Sequence, residues 1–282
     1  MSIALEAKSL FYTYEDGTAA LDGISFRAEK GKMTGILGGN GAGKSTLFLN
    51  LNGVLTPNSG TVLLDEKPVV YNRKGTLEVR RKVGIVFQDP DDQLFSADVY
   101  RDISFGGVNL GLPEEEVRAR VEQAMERTGV TALREKPTHA LSFGQKKRVA
   151  IAGILVMEPE VMILDEPTAG LDPQGVSDIM KLLTELQERL GMTIILATHD
   201  MDIVPLYCDY AYLMNGGRMV LEGTPAELFA QPDILRENHL RLPRIAHLME
   251  ILRKQDGLSV DPSAATIGAA RREILHQLEE QA

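Results

Sequence analysis

The sequence predicts an α/β protein that layers strands and helices, and three observations predict it. Short β-branched or apolar runs alternate with helical patterns along the chain. Three of those runs, Val83–Phe87, Val161–Leu164 and Thr193–Thr198, are almost unbroken, as expected of central strands covered on both faces. A glycine-rich segment follows a further short strand, Thr34–Leu37, and opens a helix. With 282 residues, 44% hydrophobic and 25% charged, the composition is that of a soluble globular protein, with room for one large domain or a domain of roughly 200 residues plus an appendix.

In chain order, Leu5–Ala7, Ser25–Ala28 and Thr61–Leu64 read as shorter strands of an antiparallel part near the N-terminus. Lys44–Leu51 is the helix behind the glycine-rich segment. Glu114–Thr128 follows Pro113 and sets Val117, Val121, Ala124 and Met125 on one helical face. Helices are also expected at Gly144–Met157, Pro173–Leu190 and Met201–Tyr207. After Thr224 the strand signal stops. Leu240, Ile245, Leu248, Met249 and Leu252 form one apolar stripe, and Ile267, Ile274, Leu275 and Leu278 another, punctuated by Asp256-Gly257 and Asp261-Pro262. Residues 226–282 therefore read as a small helical appendix, whose stripes either pair between two copies of the chain or pack on its own core.

Thirty Lys and Arg against 40 Asp and Glu give a formal charge of −10. That excludes a general nucleic-acid role, which needs dense basic side chains, though not a local basic patch. One cysteine, Cys208, can form neither an intrachain disulfide nor a cysteine-rich metal site and fits a reducing cytosol. Met1–Leu10 carries Glu6 and Lys8 and lacks an apolar signal core, and the run Val149–Met157 is less than half of a membrane span. Any work at a membrane is expected to go through a partner, without direct insertion. His139, His199, His239, His247 and His276 are scattered, and His239 and His247 lack the one-turn spacing of a helical metal pair.

The glycine-rich segment is Gly38-Gly39-Asn40-Gly41-Ala42-Gly43-Lys44-Ser45, the pattern G-x-x-x-x-G-K-[ST]. Phosphate oxygens need many converging N–H donors, and glycines let the backbone curl that closely. The helix start adds its positive end, Lys44 a point charge for the β- and γ-phosphates, and Ser45 a hydroxyl ligand for Mg²⁺.

Downstream, Val161–Leu164 ends in Asp165 and Glu166. A buried strand beside the phosphate loop delivers both acids to its carboxyl end, where open α/β sheets bind ligands. Asp165 is placed to hold the Mg²⁺ shell, and Glu166 to polarise an attacking water as general base. His199 occupies the same strand-end position behind Ile194–Thr198, where an imidazole can meet a γ-phosphate or orient the water and Glu166. Gln88 ends the run Val83–Phe87; its amide can touch Mg²⁺ or water and still move with the loop behind it.

Leu141-Ser142-Phe143-Gly144-Gln145 precedes Lys146-Lys147-Arg148 and an apolar helix. Ser142 sits where an N-cap belongs, and Gly144 keeps the backbone open, which makes a second anion-seeking helix start. The economical reading is that it faces a γ-phosphate held by another copy. The alternative is a capped helix with a solvated basic turn.

The phosphate loop, Gln88, Leu141–Gln145, Val161–Glu166, Ala169-Gly170-Leu171-Asp172 and His199 stand in the order found in ABC-transporter ATPases, and residues 3–225 resemble that family. The resemblance implies a P-loop NTPase fold with a mixed sheet, an antiparallel N-terminal β part and a helical signature subdomain over about residues 95–158. It also implies a head-to-tail dimer that sandwiches ATP. Residues Gly38 to Thr46 would bind ATP in one subunit, while Ser142, Gly144 and Gln145 would contact the ATP of the other. Asp172 would lie at the dimer seam. Tyr14, in Phe11-Tyr12-Thr13-Tyr14, would stack on adenine, with Tyr12 as its rival. Phe143 departs from the family's usual glycine; its ring would either crowd the nucleotide face or point away from it.

A narrower resemblance, to energy-coupling-factor (ECF) transporters and their cobalt/nickel branch, rests on Phe87-Gln88-Asp89-Pro90-Asp91-Asp92-Gln93-Leu94-Phe95, on Phe143 with Lys146–Arg148, and on Leu240-Arg241-Leu242-Pro243-Arg244-Ile245-Ala246. It implies a homodimer at the cytoplasmic face of the cell membrane. Its partners would be a membrane coupling subunit, whose basic helices could meet the acids of Asp89–Asp92, and a metal-specific membrane component. An ATPase serving vitamin uptake or another importer, a non-transport ABC ATPase, and a non-catalytic structural subunit are the competing readings.

Overall fold

A computed structural model describes residues 2–280; Met1 and the end of the appendix at Gln281 and Ala282 lie outside the described residues. The chain begins with β1 (Ile3–Thr13), β2 (Ala19–Glu29) and β3 (Met33–Leu37), followed by α1 (Lys44–Leu51), β4 (Ser59–Leu64) and β5 (Lys67–Pro68). Next come α2 (Arg73–Lys82), β6 (Val83–Val86), α3 (Val99–Asn109), α4 (Glu114–Thr128) and α5 (Phe143–Leu155). β7 (Val161–Asp165), α6 (Pro173–Leu190), β8 (Thr193–Thr198), α7 (Val204–Tyr207), β9 (Tyr210–Asn215) and β10 (Arg218–Gly223) complete the sheets. The chain ends in α8 (Pro225–Phe229), α9 (Pro232–Glu237), α10 (Arg244–Lys254) and α11 (Ile267–Glu280).

Among the described residues, one antiparallel sheet has the order β2-β1-β4-β5, and a six-stranded mixed sheet the order β10-β9-β3-β8-β7-β6. In the mixed sheet β9, β3, β8, β7 and β6 run parallel, and β10 returns antiparallel to β9. The completely buried β3, β7 and β8 explain their unbroken apolar sequences. Register aligns Leu37 with Thr198, Asp165 with Ala197, and Val86 with Leu164. The residues that follow those positions, Gly38, His199, Glu166 and the Phe87-Gln88 pair, consequently leave the sheet along one edge.

Several elements exceed the sequence expectation. β1 is far longer than Leu5–Ala7 because bulges, one at Ser9 with φ 48°, break the alternation that marks a strand. The helices α2 and α3 carry weak sequence signals: α2 buries only Val79, and α3 buries Val99 and Ile103 one turn apart but contains Gly106 and Gly107; side-chain caps from Asn72 and Asp98 start them. The expected helix at Met201–Tyr207 is confined to α7, because Asp200 and Asp202 organise a turn: Asp200 accepts from the main-chain N–H of Asp202 at 3.1 Å.

The first part of the appendix is seated on the main core, into which Leu228, Phe229, Leu235, Leu240, Leu242 and Ala246 are buried. Asp202 fastens it further, accepting the Arg244 N–H at 2.7 Å and pairing with its guanidinium at 3.3 Å. Helices α10 and α11 share a small core of Met249, Val260, Ala264 and Ala270. The stripes expected there divide: Ile245, Leu252 and Ile274 pack inward, while Leu248, Ile267, Leu275 and Leu278 are exposed.

Candidate functional site

The glycine-rich loop turns into α1 at Gly43, whose φ is +100° and whose Cβ, if present, would lie 2.5 Å from the Ala20 carbonyl oxygen. Only glycine fits there. No side chain caps α1, so the leading N–H groups of the helix remain available to an anion. Lys44 is buried, and its ammonium donates to the carbonyls of Gly38 at 2.7 Å and Gly39 at 3.0 Å, which keeps its charge inside the loop.

Ser45 Oγ donates to Asp165 Oδ2 at 2.5 Å, which joins the loop to the end of β7. Burial pushes the Asp165 carboxyl above its usual value; the Ser45 hydrogen bond opposes this and the neighbouring Glu166 charge adds to it. Two hard oxygen donors so close together suit Mg²⁺. Glu166 is only 5% exposed, and its backbone is left-handed at φ 46°. Its N–H donates to Ala197 O at 3.2 Å, and its Oε2 lies 2.8 Å from His199 Nδ1. With Nδ1–H donating to that carboxylate, Nε2 of His199 is left for another partner.

A cleft of about 540 Å³ is lined by Tyr14, residues 40–46, Gln88, Asp165, Glu166 and His199. The structure thus brings together the expected phosphate-binding, metal-binding and hydrolytic residues, with Gly38 and Gly39 behind them under Lys44. Tyr14, 37% exposed, bonds Thr46 Oγ1 through its hydroxyl at 2.8 Å and meets the Tyr12 ring edge-on at 5.0 Å. Tyr12 packs on the core beneath the antiparallel sheet, so of the two tyrosines it is Tyr14 that lines the cleft.

Ser142, Gly144, Gln145 and Asp172 do not line this cleft. Ser142 and Gln145 form a reciprocal capping box at the start of α5, with Ser142 N–H donating to Gln145 Oε1 at 3.1 Å. Asp172 caps α6 by accepting the Gly175 N–H at 2.7 Å. Of the acids in the glutamine loop, Asp89 accepts the Asp91 N–H and Asp91 pairs with Lys146 at 2.5 Å, so both have partners within the chain. Phe143 borders a pocket that it shares with Ser45, Gln88, Asp165 and Gly170. Its ring lies where a Cβ on Gly170, at φ +75°, would come within 3.0 Å.

Lys147 was not singled out by the sequence. It is 2% exposed, and its ammonium donates to Glu166 O at 3.0 Å and Gln88 O at 3.1 Å, 5.3 Å from the centre of the Phe143 ring. Burial pushes it down to about 8, against the pull of the Glu166, Asp89 and Asp165 charges. Helical phase was the available signal: Phe143, Lys147, Ala150 and Ile154 share one face of α5.

Comparison with known proteins agrees with this geometry. The sequence pattern of the family described as ABC transporter matches residues 21–169. The energy-coupling factor transporter ATP-binding protein EcfA3 of Clostridium perfringens is 62% identical over 270 residues, covering 96% of this chain and 95% of the relative. EcfA of Methanocaldococcus jannaschii is 54% identical over 277 residues, 98% and 99% of the two chains. The solved structure of cbiO1 from Clostridium perfringens, described as part of the ABC transporter complex cbiONQ, superposes with a TM-score of 0.77 at 62% identity, covering 89% of this chain and all of that one. The ATP-binding cassette MJ0796, a dimer in a post-hydrolysis state bound to ADP and Pi, gives a TM-score of 0.71 at 25% identity over 78% of this chain and 98% of its own.

Proposed function

The chain belongs to the ABC transporter ATPases of the energy-coupling-factor type, and from that membership we propose that it drives import of Co²⁺ or Ni²⁺ without touching the ion. The observation that carries the ATPase reading is the convergence, in one cleft, of the phosphate loop, the Ser45–Asp165 pair and the Glu166–His199 pair. The cargo reading is supported by the resemblance of Phe87–Phe95, Phe143 with Lys146–Arg148, and Leu240–Ala246 to the cobalt/nickel branch, and by the likeness to cbiO1.

In this reading Lys44 and the leading N–H groups of α1 hold the β- and γ-phosphates. Ser45 and Asp165, with the Gln88 amide, would hold Mg²⁺, which supplies charge neutralisation on the phosphate oxygens. Glu166 takes the proton of the attacking water, and His199 keeps its carboxylate in place. Tyr14 offers its ring to adenine. A second copy completes the site with Ser142, Gly144 and Gln145, and Asp172 meets its counterpart region at the seam; the dimeric state of MJ0796 supports that arrangement. The exposed Leu248, Ile267, Leu275 and Leu278 of the appendix supply apolar area for the same dimer.

Among the described residues no helix is long and apolar enough to cross a membrane. The chain works in this reading at the cytoplasmic face of the cell membrane, against a coupling subunit and an ion-specific membrane component. An apolar groove of about 370 Å³ beside the glutamine loop, lined by Leu77, Phe87, Phe95, Phe105, Leu110 and Met157, suits a helix of the coupling subunit.

A deletion strain carrying either the wild-type gene or Glu166→Gln tests both parts. The wild type restores uptake of labelled Co²⁺ or Ni²⁺. Glu166→Gln does not restore it, and the purified variant still binds ATP, accumulates as a dimer and loses turnover by at least about a hundredfold. Retained turnover removes Glu166 from its role; restoration of vitamin uptake instead reassigns the cargo.

A further inference from the structure

A lysine buried to 2% exposure ordinarily finds a carboxylate. Among the described residues none pairs with Lys147. Its ammonium instead donates to two main-chain carbonyls, Glu166 O at 3.0 Å and Gln88 O at 3.1 Å. Such charge-assisted bonds are stronger than neutral ones and fix the peptides they reach. The Phe143 ring, one helical turn back, offers its face to the same ammonium at 5.3 Å and packs against Gly170.

These contacts join three separate segments. Gln88 lies beyond β6 and Glu166 beyond β7, whereas Lys147 belongs to the helix that Ser142 and Gln145 cap. Glu166 is thereby restrained at both ends of its residue, through its N–H to Ala197 O at 3.2 Å and its carbonyl to Lys147. This matters because its left-handed backbone, φ 46°, is one that glutamate adopts only when the surroundings impose it.

We propose that Lys147 is a positioning residue whose ammonium ties the main chain of Glu166 and Gln88 to the start of α5, so that the Glu166 carboxylate is aimed at the attacking water only while α5 is seated. The inference rests on Glu166 being the general base. It makes Lys147 a mechanical link between the capped helix start that would meet the second copy's nucleotide and the two residues that act on the nucleotide of its own chain. Lys146 cannot substitute, because it is committed to Asp91, nor can Arg148, which pairs with Asp178 at 3.0 Å.

Steady-state ATP hydrolysis by the full-length chain with Mg²⁺ tests the link, in parallel with Glu166→Gln. Lys147→Met is expected to lower kcat by about tenfold or more while KM for ATP stays within about threefold, since displaced chemistry rather than lost binding is at fault. Lys147→Arg, which keeps a charged donor, is expected to recover at least part of that kcat. Lys147→Gln, smaller and uncharged, stands in should the methionine variant not fold, with an intermediate kcat and an unchanged KM. Wild-type kcat in the methionine or glutamine variant overturns the proposal, as does a parallel loss of ATP binding with no recovery by arginine. If Glu166→Gln itself retains turnover, the reading of Glu166 fails first; if it is inactive while Lys147→Met is not, only the link fails.

Discussion

His199 Nδ1 lies 2.8 Å from Glu166 Oε2, so two residues from adjacent parallel strands meet side chain to side chain at the edge of the sheet. The contact orients a carboxylate whose own backbone is already in an uncommon conformation. His199→Ala is therefore expected to lower kcat by about ten- to a thousandfold and to leave ATP affinity within about threefold. Equilibrium binding of a fluorescent ATP analogue beside steady-state hydrolysis checks it; equal losses in both would assign His199 to binding instead.

Asp165 is expected to trade stability for function. Burial lifts its carboxyl above the ordinary value of 3.8, so the fold disfavours the charged form and the nucleotide-free chain bears that cost at neutral pH. Asp165→Asn keeps the shape and can still accept the Ser45 hydroxyl. Thermal melting without nucleotide should rise by about 1–3 °C, while hydrolysis falls by at least about a hundredfold. A less stable Asn variant would contradict the stated cost.

The appendix carries an acid-sensitive clamp. Hydrogen bonds from Arg236 hold the Glu250 carboxyl down at about 2, with burial opposing and Lys254 at 2.9 Å assisting. A depressed carboxyl stabilises the fold fully above its unfolded value near 4.5, and that contribution is lost as pH falls towards 2. Because Arg236 and Lys254, like His247 at 3.6 Å, are more than a third exposed, the contact is worth about 1–2 kcal/mol at pH 7. Glu250→Gln should lower the urea midpoint at pH 7, and its gap from the wild type should narrow below about pH 4.5. A gap that persists unchanged at pH 3 would rule the clamp out.

The residues that line the cleft were legible because phosphate and metal chemistry restricts residue types at short spacing. Gly43 must be glycine, Lys44 and Ser45 must follow, and buried strands must deliver Asp165, Glu166 and His199. The surroundings were less legible. Lys146, Lys147 and Arg148 read as one basic turn, yet the first pairs with Asp91, the second is buried and the third pairs with Asp178. Adjacent side chains on a helix point about 100° apart, so only the neighbours of each separate their fates. The helix α3 was hidden by Gly106-Gly107, whose poor propensity is overridden by packing against α5. The direction of Phe143 depended on Gly170, a residue 27 positions away in sequence, which no local pattern records.

The strand order places β8 between β3 and β7, although ribosomes make it after both. Until residue 198 has been synthesised, the nascent chain holds its phosphate loop and its acidic strand end with the intervening strand missing, and Ser45 has no framework that brings it to Asp165. Within one chain, the Ser45–Asp165 contact therefore waits for β8, the strand that leads into His199, to enter the gap between β3 and β7.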